Sequence, residues 1–131
     1  MNFLLDTHIW LWTHRDPARL PSLVVESFGE ADSRLWLSPV SIWELAMLVE
    51  RKRVTLKEET SQWVEKSRRE LDLREACFSW QVANALRSTV LPHGDPADRF
   101  LVATATVYDL TLVTADERLM SVPSIRVLPN R

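Results

Sequence analysis

Short apolar runs alternate along this chain with longer amphipathic segments, and no other feature limits its fold as much. A run of four apolar residues suits a strand buried on both faces, and the segments between such runs are long enough to be helices that cover it. The alternation therefore predicts an α/β fold with a mainly parallel sheet. Strands are expected at Asn2–Leu5, Arg34–Leu37, Thr111–Thr114 and Ile125–Leu128, the last at an edge because Pro123 and Pro129 bracket it. Helices are expected at Thr7–His14, Pro21–Ala31, Pro39–Arg53, Glu58–Leu71, Ser79–Val90 and Pro96–Tyr108. Three of these start with proline, which suits a first helical turn where the missing N–H would be unpaired anyway. With no internal repeat, low-complexity tract or linker, the expected organisation is one domain over residues 1–131.

Several function classes are excluded early. The only glycines, Gly29 and Gly94, are far apart. Phosphate-cradling loops need two or three glycines within about six residues, so P-loop, dinucleotide-binding and kinase sites are ruled out. Cys77 is the only cysteine, which excludes an internal disulfide and a thiolate zinc cluster and suits a reducing compartment. The amino end carries Asp6, His8 and Asp16 without an early Lys or Arg, unlike a secretory signal. The longest uncharged stretch, Ala76–Leu86, is well short of the roughly 18–20 residues of a membrane span. A cytoplasmic protein without a membrane segment is expected.

Charge is uneven although the total is only −2. The middle third holds Arg51, Lys52, Arg53, Lys57, Lys66, Arg68 and Arg69. These suit either a solvated helical face or a surface contacting a phosphate backbone.

The acids are more informative. Asp6 closes the run Phe3-Leu4-Leu5, and Asp116 follows Thr111–Thr114 after one alanine, so both stand at the carboxyl ends of predicted parallel strands. Ligand crevices of open α/β sheets form at that edge, although an aspartate there is also a favoured helix cap. On a helix from Pro39, Glu44 has Val40, Ser41, Met47 and Leu48 as neighbours, which places its carboxylate on or beside the buried stripe. Such a glutamate costs stability unless it is paired or binds a cation. Asp98 falls in the first turn of the helix from Pro96, where an acid also favours the macrodipole. Asp95 is better placed as the cap, leaving Asp98 free. Oxygen ligands of this kind suit Mg²⁺ or Mn²⁺ and not zinc.

Four blocks carry a family resemblance: Leu4-Leu5-Asp6-Thr7-His8, Ser38–Ala46, Asp95–Ala105 and Leu112-Val113-Thr114-Ala115-Asp116. In this order and spacing the chain resembles the PIN-domain ribonucleases, above all the VapC-type toxins of toxin–antitoxin pairs. The resemblance implies a three-layer α/β/α fold and a metal site formed by Asp6, Glu44, Asp98 and Asp116, with Thr7 and Thr114 as polar neighbours. It also implies a homodimer and a small antitoxin that holds the enzyme inactive. Position 48, often lysine in such relatives, is Leu48, so no basic substrate-binding residue carries over there.

The chemistry so implied is metal-dependent hydrolysis of RNA phosphodiesters, with Mg²⁺ or Mn²⁺ lowering the pKa of a bound water and stabilising charge on the phosphoryl oxygens. Arg99 and the 51–69 region are the basic groups expected to position RNA. A haloacid-dehalogenase-like phosphohydrolase is the rival enzyme, but it needs a second Asp two residues after the first, where this chain has His8. A non-catalytic binding module is the other rival. Cys77, in Glu75-Ala76-Cys77-Phe78, is expected to be inert core, and His8, His14 and His93 lack zinc spacing. Trp10, Trp36, Trp43, Trp63 and Trp80 fall in apolar patterns and are expected in the core or a dimer interface; Trp12 has no assigned role.

Overall fold

The computed structural model describes residues 1–131, and its apolar runs form one parallel five-stranded sheet. In chain order the elements are β1 (Asn2–Leu5), α1 (Thr7–Arg15), α2 (Ser22–Gly29), β2 (Arg34–Leu37), α3 (Pro39–Glu50), α4 (Thr60–Glu70), β3 (Arg74–Glu75), α5 (Trp80–Ala85), α6 (Pro96–Tyr108), β4 (Thr111–Thr114), α7 (Glu117–Met120) and β5 (Arg126–Pro129). Single 3₁₀ turns follow α1, at Pro17–Arg19, and α5, at Leu86–Ser88. The strand order is β3-β2-β1-β4-β5.

Side chains of a strand alternate between faces, and here the alternation separates two cores. Phe3 and Leu5 of β1 pack with Ile9, Trp10, Leu45, Trp63 and Val113, whereas Leu4 packs with Leu101, Val102, Leu112 and Leu119. Helices α1 to α4 thus cover one face and α6 and α7 the other, which makes three layers. The buried Trp10 indole meets Trp63 edge-on at 5.1 Å and donates from Nε1 to Ser67 Oγ at 2.8 Å, so its polar handle is satisfied within the core.

Some expectations need correction. Strand β5 is shifted one residue from Ile125–Leu128, though it does lie at an edge. Strand β3 has only two residues, both exposed, and α7 only four, too short for either to display a hydrophobic period. Pro21 is the cap before α2, not its first residue, while Pro39 and Pro96 do open α3 and α6. The helix expected over Ser79–Val90 stops at Ala85 and tightens into the 3₁₀ turn.

Helix α3 ends at Glu50 and not at Arg53 because Lys52 turns left-handed, at φ 59°. Lys52 N then donates to Val49 O and Arg53 N to Leu48 O, closing the helix in a Schellman-like turn. Asp72 and Asp109 do the same after α4 and α6, at φ 49° and 55°. A chain with two glycines places ordinary residues at these stops.

The tryptophans divide. Trp10 and Trp63 are core and Trp36 is half-buried, but Trp43 is 60% exposed and Trp80 is 91% exposed, so neither lies in a core of this protomer. Cys77 is exposed as well, contrary to its expected place in the core. Desolvation and the adjacent Glu75 hold its thiol above the ordinary range, which leaves it a poor nucleophile.

Candidate functional site

The strand order reverses between β1 and β4, where the connections from two neighbouring strands leave in opposite directions. A crevice opens at the carboxyl ends of such strands. Asp6 follows β1 there and Asp116 follows β4, while α3 and α6, which pack against each other, bring Glu44 and Asp98 towards the same edge.

Asp6 is half-buried and caps α1. Its Oδ1 accepts from Thr7 N at 2.7 Å, and its Oδ2 accepts from Thr114 Oγ1 at 2.6 Å. Thr114 Oγ1 in turn accepts from Asp116 N at 3.0 Å, which ties the two strand ends together. Thr7 joins the next acid to this pair. Its Oγ1 donates to Glu44 Oε1 at 2.7 Å and stands 2.9 Å from Ser41 Oγ, one turn earlier on α3. Both threonines are buried, so their hydroxyls fix the rotamers of the carboxylates beside them.

Asp98 is only 8% exposed. Its Oδ2 stands 2.7 Å from Nε2 of His93, a residue that the absence of zinc spacing had left without a role. The signal that could have found it is the proximity of His93 to Asp98 across the turn at Asp95-Pro96. Asp95 accepts from Ala97 N at 3.0 Å as the cap of α6. Asp116 caps α7 and is gripped by Arg118, whose Nε is 3.1 Å from Oδ1 and whose Nη2 is 2.8 Å from Oδ2. Neither His93 nor Arg118 is singled out by spacing along the sequence, yet each contacts one of the four acids. Arg99, expected to face RNA, instead donates to the carbonyls of Thr89 and Leu86 at 3.1 and 2.7 Å and anchors the 3₁₀ turn.

Burial pushes the Asp6, Glu44 and Asp98 carboxyls up, against the hydrogen bonds from Thr114, Thr7 and His93 respectively. The acids also push on one another: Asp116 acts on Asp6, Asp6 with Asp95 and Asp98 on Glu44, and Asp95, more than Asp6, on Asp98. Asp116 alone is held below the ordinary range, by its hydrogen bonds from the Arg118 side chain. The chemistry of the set fits a hard divalent cation, since the ligands are all oxygen and three of them are desolvated carboxylates in mutual repulsion. As the side chains stand, however, no three of His, Cys, Asp and Glu are gathered closely enough to share one ion.

Those shifts set a pH dependence. A carboxyl raised in the folded state binds its proton more tightly folded than unfolded, so stability falls as pH rises from the unfolded value, about 4, through the folded one. The stabilisation from Asp116 has the opposite sign and is lost only below that range. Metal-free protein is thus expected to lose stability as pH rises from about 4. Asp98→Asn should flatten that slope in a thermal-melt series, and an unchanged slope would contradict the burial of Asp98's charge.

Comparison with known proteins gives one consistent picture. The family model for the PIN domain matches residues 3–124. Ribonuclease VapC22 of Mycobacterium tuberculosis is 34% identical over 123 residues, covering 90% of this chain and 89% of that protein. Among solved structures, VapBC2 of Rickettsia felis, bound to a DNA fragment from its promoter, superposes with a TM-score of 0.70 at 16% identity, covering 98% of each chain. DNA-bound VapBC of Salmonella typhimurium gives 0.69 at 21% identity, again over 98% of each chain. The two superpositions establish the shared fold. No helix is long and apolar enough to cross a membrane.

Proposed function

The chain belongs to the PIN-domain family, and from that membership we infer that it is an endoribonuclease, the toxin of a toxin–antitoxin pair. The observation that carries the reading is the linked row Asp116–Thr114–Asp6–Thr7–Glu44 at the reversal point of the sheet, with buried Asp98 reached from its Asp116 end through the Arg118 guanidinium. Asp6, Glu44, Asp98 and Asp116 would hold Mg²⁺ or Mn²⁺. When bound, the metal supplies an acidified water and charge stabilisation for phosphodiester hydrolysis. The protein's own part is positional. Thr7 and Thr114 orient the Glu44 and Asp6 carboxylates, His93 holds Oδ2 of Asp98, and Asp95 fixes the start of α6. Arg51, Lys52, Arg53, Lys57, Lys66, Arg68 and Arg69 are all exposed and provide phosphate contacts that carry affinity without sequence information.

The test is incubation of labelled RNA and of a generic phosphomonoester with Mg²⁺, Mn²⁺ or EDTA. RNA cleavage with either metal and none in EDTA is expected, with the monoester untouched. Monoester turnover would favour phosphohydrolase chemistry. The absence of both activities, with metal bound, would favour a binding module.

The partners are proposed on the same basis: RNA as substrate, a second copy of the chain, and a small antitoxin, in the cytoplasm. Exposed large apolar side chains are spread along the chain, the most open being Trp80 at 91% and Val90 at 85%, and the second copy is proposed to cover Trp80. Light scattering is expected to find a dimer. Trp80→Glu should convert it to a folded monomer, because Trp80 packs into neither core. A wild type that is monomeric throughout would count against the dimer. Coexpression with the genomic neighbour should yield a complex of lower activity.

A further inference from the structure

Arg118 occupies a position that the proposed reaction does not explain. It is the first basic residue after Asp116, with one residue between them, and its guanidinium forks onto both oxygens of that carboxylate. The same Nη2 stands 4.0 Å from Oδ2 of Asp98, so one cation spans two of the four acids contributed by different elements. Asp98 and Asp95 both add to the field that holds the guanidinium charged, after the Asp116 contact itself. The hold is weak, since Arg118 is 57% exposed and an ion pair so open to water is easily exchanged.

We propose that Arg118 is the resident cation of the metal-free site, displaced from Asp98 and Asp116 when a divalent ion enters, and that the released guanidinium then binds a phosphate of the substrate. This rests on the metal-dependent ribonuclease reading above. A doubly charged ion outcompetes a guanidinium for carboxylates, and a planar fork matches a phosphate as well as it matches Asp116. Release also needs no refolding. The cap of α7 is made by Arg118 N to Asp116 Oδ1 at 2.9 Å, a backbone bond independent of the side chain.

The prediction has an unusual sign, since removing a basic residue should tighten cation binding. Mn²⁺ affinity of the full-length protein is measured by loss of the free-ion electron paramagnetic resonance signal, for wild type, Arg118→Gln and Arg118→Lys. Arg118→Gln, which keeps the cap, is expected to bind Mn²⁺ about three- to tenfold tighter, the scale of a nearby unit charge at the rim of a site. Its Mn²⁺-induced rise in melting temperature should exceed that of wild type. In saturating Mn²⁺ the same variant should show a KM for RNA raised at least about fivefold, with Arg118→Lys restoring part of it. An arginine that only trims the surface would leave both quantities unmoved. Unchanged or weaker Mn²⁺ binding by Arg118→Gln overturns the displacement, and tighter binding with an unchanged KM overturns the phosphate contact. A wild type that binds no Mn²⁺ overturns the metal reading beneath it.

Discussion

Asp6→Asn is expected to lower RNA cleavage by at least about tenfold, and Glu44→Gln, Asp98→Asn and Asp116→Asn by similar factors. Tenfold corresponds to roughly 1.4 kcal/mol of transition-state stabilisation, a modest demand on a group that holds a catalytic metal. The amide substitutions separate chemistry from folding. Asparagine is itself a good cap, so the bonds to Thr7 N at α1 and to Arg118 N at α7 can persist in the variants. Glutamine at position 44 can still accept from Thr7. Asp6 should be the most sensitive, because its two oxygens connect both ends of the row through Thr7 and Thr114. Asp95→Asn should be milder, since its observed work is the cap of α6. Cleavage rates compared at equal folded fraction check this. An equal or greater loss at Asp95 would mean that the roles of Asp95 and Asp98 are exchanged.

The second large effect concerns stability. Buried, mutually repelling carboxylates strain the metal-free fold, and a metal that binds only the folded state adds RT ln(1 + [L]/Kd), about 2.7 kcal/mol at 100 times Kd. About 1 kcal/mol moves a domain of this size by roughly 3–6 °C, so Mn²⁺ or Mg²⁺ should raise the melting temperature by several degrees. Asp98→Asn removes a desolvated charge yet can still accept from His93. It should therefore melt higher than wild type in EDTA and gain little from metal. If Asp98 served only the dipole of α6, its loss would leave the EDTA melt unchanged or lower and the wild type would ignore Mn²⁺.

How much of this was legible in the sequence follows from the length scale of each signal. Strands Asn2–Leu5, Arg34–Leu37 and Thr111–Thr114 have the bounds that their apolar runs predict, because Phe3-Leu4-Leu5 and Leu112-Val113 put side chains into the cores on both faces of the sheet. The helix stops were blurred because Lys52, Asp72 and Asp109 hold the left-handed positions where glycine would have marked them. For Trp43 and Trp80 the pattern leaves core and interface undivided, because an apolar residue at a helical position looks the same whether it faces the core or an uncovered surface, and in the structure both are exposed. The positions of Asp6 and Asp116 followed from strand ends, a local property. The grip of His93 on Asp98 and of Arg118 on Asp116 did not, because it depends on side-chain geometry within turns that no periodicity describes. The contacts of Arg99 are not legible in the sequence, because its partners are backbone carbonyls ten and thirteen residues earlier, which composition cannot reveal.

The proposed metal site, four carboxylates at the β1–β4 edge, makes RNA hydrolysis depend on a bound divalent ion. Its most direct test is reconstitution: protein stripped with EDTA and freed of chelator is titrated with Mn²⁺ while cleavage of labelled RNA is followed, for wild type and Asp98→Asn. No cleavage is expected before Mn²⁺ is added, then a saturable return of activity in the wild type, and an Asp98→Asn curve displaced to much higher Mn²⁺ with a lower plateau. Full cleavage by the stripped protein, or superimposable curves for the two proteins, would contradict it.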